Sequence, residues 1–215
     1  MVTVTRPRSP GRPTGDSQLQ RERLLDAALE AFAHVGIQAA SLRGIAQQAG
    51  VTPALVNYYF GSKDRLVDAM VEERLLPLFQ AMAERLQHAG DDPLELASAF
   101  VRGMSANLSR NPWLPPLWVR EVLCEGGVLR EMLSTRFAPM VPMLLAQRFA
   151  AAQANGRLNP DLDPRLLVVS LVGLVMLPYA AGTIWRGIFA SPELGDEAMT
   201  KHILALLERG LEVKP

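Results

Sequence analysis

Four residues in one short segment carry groups that can bind a nucleic acid. The segment, Val51 to Leu66, reads VTPALVNYYFGSKDRL. Asn57 ends in an amide that can pair with both N6 and N7 of adenine in the major groove. Tyr58 and Tyr59 have hydroxyls that can donate to phosphate oxygens and rings that can pack on sugars or thymine methyls. Lys63 falls in the first turn of an expected helix, where the helix dipole disfavours a cation. A phosphate held jointly by that helix start and the ammonium accounts for it; a solvated lysine without a partner is the competing reading. Thr52, Pro53 and Ala54 are small enough to let the backbone approach base edges. Upstream, Arg43 can reach a guanine or a phosphate, or stay a bare surface charge.

These groups need short, well-delimited helices to hold them. Ser41 is a helix N-cap, and Leu42, Ile45, Ala46 and Ala49 follow at i, i+3, i+4 and i+7. Gly50 suits a left-handed turn. Thr52 caps the next helix, with Pro53 at its first position, where a missing N–H costs nothing. Gly61 ends that helix and Ser62 caps another. Val56 and Phe60, four apart, face the core and leave Thr52, Pro53, Ala54, Asn57, Tyr58 and Tyr59 on other faces. Helix, tight turn and helix make a helix-turn-helix, whose second helix enters the major groove by its N-terminal half.

The remaining 150 residues extend the helical pattern. Hydrophobic residues make up 49% of the 215, enough for a sizeable core, and no run alternates as a strand requires. The spacing predicts helices over 19–35, 63–87, 93–109, 128–154, 164–189 and 196–212, with a broken segment near 111–127. That is an all-α chain of about nine helices. Pro77 should kink the fourth. Residues 166–185 are twenty in a row without a formal charge, the length of a membrane span, but Ser170, Pro178, Tyr179 and Thr183 interrupt them. A helix buried within its own domain and against a partner subunit is the simpler reading. Residues 1–17 read as a flexible arm; its RPRSPGRP resembles arginine hooks for AT-rich minor grooves, and a tail without fixed contacts fits equally.

Net charge is zero, yet residues 1–65 hold 8 Lys/Arg against 5 Asp/Glu and the rest carries the opposite excess. The positive end is the end with the helix-turn-helix. A single cysteine, Cys124, suits a reducing cytoplasm, and the N-terminus lacks a signal-peptide core. His34, His88 and His202 are scattered, without metal-ligand spacing, a nucleophile motif or a phosphate loop. No catalytic residue, metal or cofactor is therefore expected.

The stretch SLRGIAQQAGVTPALVNYYFGSKDRL resembles the DNA-binding region of the tetracycline-repressor (TetR/AcrR) family of transcriptional regulators. The likeness covers residues 21–70 and lies in the Ala-Gly-Val turn, the Thr cap, the aromatic helix ending in Phe, and Gly-Ser-Lys-Asp. One departure is Asn57, where many members have tyrosine. The resemblance implies an N-terminal three-helix DNA-binding domain (18–65) behind the basic arm (1–17), and a helical effector-binding and dimerisation domain (66–215). It implies DNA contacts at Ser41, Arg43, Thr52, Pro53, Ala54, Asn57, Tyr58, Tyr59 and Lys63. It further implies a homodimer through 164–189 and 196–212, a palindromic operator and release, usually of a repressor, by a small molecule. Methionines and tryptophans suit an adaptable apolar pocket, so Met104, Trp113, Trp118, Met140, Met143, Met176 and Tyr179 are candidate ligand residues, with Asn107 and Glu121 as polar anchors; ordinary core packing is the competing reading for each. The pocket then takes a hydrophobic effector. A hydrophobic-ligand-binding protein with a vestigial helix-turn-helix is the alternative, separated by salt-dependent DNA binding.

Overall fold

The computed structural model describes residues 15–211, with side chains from 17 to 208. Residues 1–14 of the expected arm and the side chain of Leu211 lie outside that range. Every regular element among the described residues is helical. In chain order they are α1 (Gly15–Val35), α2 (Leu42–Gln48), α3 (Pro53–Phe60), α4 (63–88) and α5 (Pro93–Arg110). Then come α6 (114–123), α7 (130–137), α8 (Pro142–Ala154), α9 (Pro164–Ala180), α10 (Gly182–Ile188) and α11 (Asp196–Leu211). The sequence predicts about nine helices. The two extra come from breaks within 128–154 and 164–189.

α1 is already helical at Gly15, four residues before the expected start. Its first turn is polar, so apolar spacing does not reveal it. Its buried stripe, including Leu25, Leu29 and Phe32, ends at Gly36, whose φ of 88° lies in the left-handed region. The stripe packs on α2, α4 and α6.

Prolines shape the longer helices. Pro77 has no N–H to give, and its ring clashes with the preceding turn. The chain answers with a π-helical stretch, Val71–Leu75, in which the Leu76 N–H donates to Val71, five residues back. The orphaned carbonyl of Glu73 sits 3.4 Å from the Arg74 guanidinium. The same device precedes Pro142: Ala138 and Met143 donate to Leu133 and Ala138, again five back.

The uncharged stretch 166–185 is two helices, not one. α9 and α10 meet at a bend of 72°, and the Trp185 indole N–H donates to the Pro178 carbonyl across it at 2.9 Å. Among the described residues, no single helix is long and apolar enough to cross a membrane.

Two apolar cores form. One unites α1–α3 and the first half of α4 with Leu117 and Val122 from α6, Leu129 just before α7, and Phe137 from α7. The other lies among the end of α4, α5, α8, α9 and α11, around Phe100, Leu145, Phe149 and Leu171. α6 therefore packs against α1 of the N-terminal unit as well as its own neighbours.

Candidate nucleic-acid interface and effector cavity

The turn between α2 and α3 is built by backbone chemistry. Gly50 adopts φ 68°, its N–H donates to Gln47 at 3.1 Å, and the Val51 N–H donates to Ala46 at 2.9 Å. These bonds satisfy the carbonyls that the end of α2 leaves free. Ser41 caps α2 through its Oγ, which accepts from the Gly44 N–H at 3.1 Å. Thr52 occupies the N-cap of α3 without a side-chain bond, which leaves its hydroxyl available. Val56 and Phe60 are buried, and each such anchor contributes about 1.5–3 kcal/mol.

The opposite face is open. Thr52, Pro53, Ala54, Asn57 and Tyr58 are exposed, as are Ser41 and Arg43 at the start of α2. Tyr58 is 78% exposed, an unusual state for a large ring. Tyr59 differs. It is half-buried against α1, with its hydroxyl 3.1 Å from Ser17 Oγ and donating to Gln20 Oε1 at 3.5 Å. Its ring meets Tyr58 edge-on at 5.2 Å. Tyr59 props its neighbour and ties α3 to the start of α1. Lys63 also differs from a free phosphate clamp: Nζ donates to the carbonyls of Gln38 at 2.8 Å and Ala40 at 3.3 Å. The unfavourable dipole at its own helix start is offset by carbonyls from the α1–α2 turn.

A charged pair closes the back of this unit. Arg21 donates twice to Glu73, both at 2.6 Å, and stacks 5.0 Å above the Phe60 ring. The Arg21 guanidinium holds the Glu73 carboxyl below its ordinary range, and Glu73 in return raises Arg21.

Among α4, α5, α6, α7 and α9 lies a cavity of about 620 Å³. Its wall takes Phe79 and Met82 from α4, Met104 and Asn107 from α5, Trp118 and Val122 from α6, Phe137 from α7, and Val172 and Met176 from α9. Among the described residues, no charged side chain lines it. Asn107 supplies its one amide, and that amide has no protein partner among the described residues. The Phe79 and Phe137 rings stack at 4.4 Å on one side.

The candidate ligand residues divide. Met104, Asn107, Trp118 and Met176 are on this wall. Trp113 is not: it packs against the N-terminal core. Met140 packs against both cores, and Met143 is 51% exposed. Tyr179 turns away and donates to the Ser105 carbonyl at 3.3 Å, in a setting that pushes its pKa up to about 12, chiefly through burial and then through Asp196. Glu121 is no ligand anchor. It is 4% exposed, with Oε1 accepting from the Ile37 N–H at 2.8 Å and Oε2 from Val128 at 3.0 Å. Sequence reasoning missed Phe79, Leu133 and Phe137. Their apolar spacing reads the same for a core stripe as for a cavity wall.

Comparison with known proteins bears on the whole arrangement. Residues 24–70 match the model of bacterial regulatory proteins of the tetR family. The regulator BetI of Paraburkholderia phytofirmans is 34% identical over 154 residues, 65% of this chain and 78% of that one. A BetI of Stenotrophomonas maltophilia is 35% identical over 89 residues, so that match spans about half of the relative (45%). Among solved structures, the ketosteroid regulator KstR2 of Mycobacterium tuberculosis superimposes with a TM-score of 0.71 at 20% identity, over 94% of this chain and 100% of that one. NalD of Pseudomonas aeruginosa, the secondary repressor of a multidrug efflux pump, gives 0.62 at 27%, over 92% and 98%. With its glycine-turned helix-turn-helix placed ahead of an all-helical body, the chain belongs to the TetR family of bacterial transcriptional regulators.

Proposed function

We propose that the protein is a cytoplasmic, ligand-responsive repressor that binds a palindromic operator as a homodimer and leaves it when an uncharged, largely apolar molecule fills the cavity. The observation that carries this reading is the pairing of two surfaces in one chain. One is an exposed helix face of small and polar residues, and the other is an apolar cavity with no charged side chain among the described residues.

On DNA, α3 presents Thr52, Pro53, Ala54 and Asn57 to base edges, with Tyr58 and Arg43 beside them for phosphates. Two copies related by a twofold axis read two half-sites, which makes the operator palindromic. The dimer face is supported by large apolar residues left in the open on the closing helices: Leu166 at 65%, Leu177 at 66%, Ile188 at 70% and Leu206 at 52%. Exposed apolar surface on this scale marks an association site.

The cavity wall selects by charge. A carboxylate or ammonium entering it would lose its water and find no counter-ion, a penalty of several kcal/mol. An alcohol, ketone or amide loses far less, because the Asn107 amide can both donate and accept. Selection of bound sites from random DNA at moderate salt tests the regulator reading. A recurrent palindrome supports it, and binding without any preferred site overturns it. Titration with dodecanol, dodecanoate and dodecyltrimethylammonium tests the effector class. Binding of the alcohol alone is expected, and equal binding of either ion contradicts it.

A further inference from the structure

We infer that the turn 36–40, between α1 and α2, is the joint through which the cavity positions the helix-turn-helix, and that Glu121 and Lys63 are its two grips. This rests on the reading of the cavity as the effector site.

The first grip comes from α6. A buried carboxylate costs free energy that a leucine in its place would avoid. Glu121 is 4% exposed, and no cation pairs with it among the described residues. Its charge is met by backbone N–H groups: Ile37 at 2.8 Å on one oxygen and Val128 at 3.0 Å on the other. The surroundings are shaped to keep it there. A Cβ at Gly127 would fall 2.3 Å from the Glu121 carbonyl, and one at Gly36 would lie 3.2 Å from Oε1. Gly36 also needs its φ of 88°, which other residues rarely adopt.

The second grip comes from α4. Lys63 Nζ holds the carbonyls of Gln38 and Ala40. One five-residue turn is thus held by an anion at its leading N–H and by a cation at its trailing carbonyls. The next residue, Ser41, is the cap of α2.

The first grip stands on a cavity wall, since Trp118 and Val122 flank Glu121 on α6 and line the cavity. The second is at the start of α4, whose later residues Leu75, Phe79 and Met82 form another wall. N–H···O hydrogen bonds keep to about 2.7–3.2 Å, and the Glu121–Ile37 and Lys63–Gln38 bonds are both 2.8 Å. A displacement of α6 against α4 by about one ångström is therefore enough to strain one grip against the other and re-aim α2. Glu121 touches no ligand in this scheme; it is a positioning residue.

The test uses the full chain and N-phenyl-naphthylamine, an uncharged fluorescent probe that reports its own binding to the cavity. Amide exchange of Ile37 is followed by NMR with and without the probe. In the parent protein the probe should change that rate about tenfold. In Glu121→Gln the response should fall below about twofold, and in Lys63→Met, a milder change at a half-buried site, it should also shrink. An undiminished response in both variants removes the two grips and leaves the cavity reading standing. A bound probe with no effect on Ile37 in the parent overturns the joint. A probe that does not bind overturns the cavity reading, and the joint with it.

Discussion

The recognition face and the cavity wall recognise by opposite means. On α3 and its cap the outward residues are small or polar and stand in water, with hydrogen-bonding side chains at Thr52, Asn57 and Tyr58. In the cavity the described wall is almost wholly apolar and includes the Asn107 amide. On the proposed function, the first surface would discriminate by hydrogen-bond pattern, where a lost contact leaves a specific partner unsatisfied. The second would discriminate by volume and by refusal of charge. A regulator needs both, since an operator must be read base by base while an effector need only fit and shift the walls.

The comparison is broken most severely by removing what holds the face in place. Phe60→Ala should destabilise the protein by about 3–5 kcal/mol in denaturant unfolding. Operator binding should be lost, because α3 has Val56 and Phe60 as its buried anchors.

Next in size are changes on the face itself. Asn57→Ala should cost about 1–3 kcal/mol of operator affinity and relax preference at one base pair per half-site, read by repeating site selection with the variant. Tyr58→Phe should weaken binding without affecting stability. Tyr59→Phe should do the reverse, costing about 0.5–1.5 kcal/mol of stability through its bonds to Ser17 and Gln20, with the smaller effect on DNA. An operator effect for Tyr59→Phe equal to that for Tyr58→Phe would merge two roles that the structure separates.

In the cavity, Asn107→Leu should lower affinity for dodecanol several-fold, about 0.5–1.5 kcal/mol, and leave an alkane of the same length unaffected. Calorimetry of the two ligands distinguishes this from a collapsed cavity, which would lose both.

The smallest effects are those of pH. Glu73 is held below its ordinary range by Arg21, so its contribution is present above that range and is lost as pH falls through its folded value. Thermal melts should show α1 loosening from α4 in acid before the second core is affected. Tyr179 works in the other direction. Its folded pKa of about 12 lies above the ordinary 10.0, so its contribution is full below pH 10 and fades as pH rises towards 12.

How much of this is legible in the sequence follows the same division. Ser41, Gly50, Pro53, Gly61 and Ser62 act within a few residues of themselves, through caps and left-handed turns, so the helix-turn-helix could be read off the chain. Tyr59 and Lys63 misled for the complementary reason: their partners are Ser17, Gln20, Gln38 and Ala40, far away in sequence. Nothing in local spacing separates a tyrosine that meets DNA from one that braces α1. Glu121 misled more. A polar residue beside candidate pocket tryptophans fits a ligand anchor, and only the packing of α6 near the α1–α2 turn shows it holding Ile37 instead. Phe79 and Phe137 are ordinary core residues to a pattern reader, because empty space leaves no mark on helical periodicity.

The central claim is that filling the cavity changes what α3 can bind. It is tested most directly by measuring operator affinity at fixed salt while dodecanol is titrated in, with cavity occupancy followed by displacement of a fluorescent probe. The account predicts that operator Kd rises in step with occupancy and that dodecanoate at the same concentration has no effect. An operator Kd that stays constant while the cavity fills would contradict it.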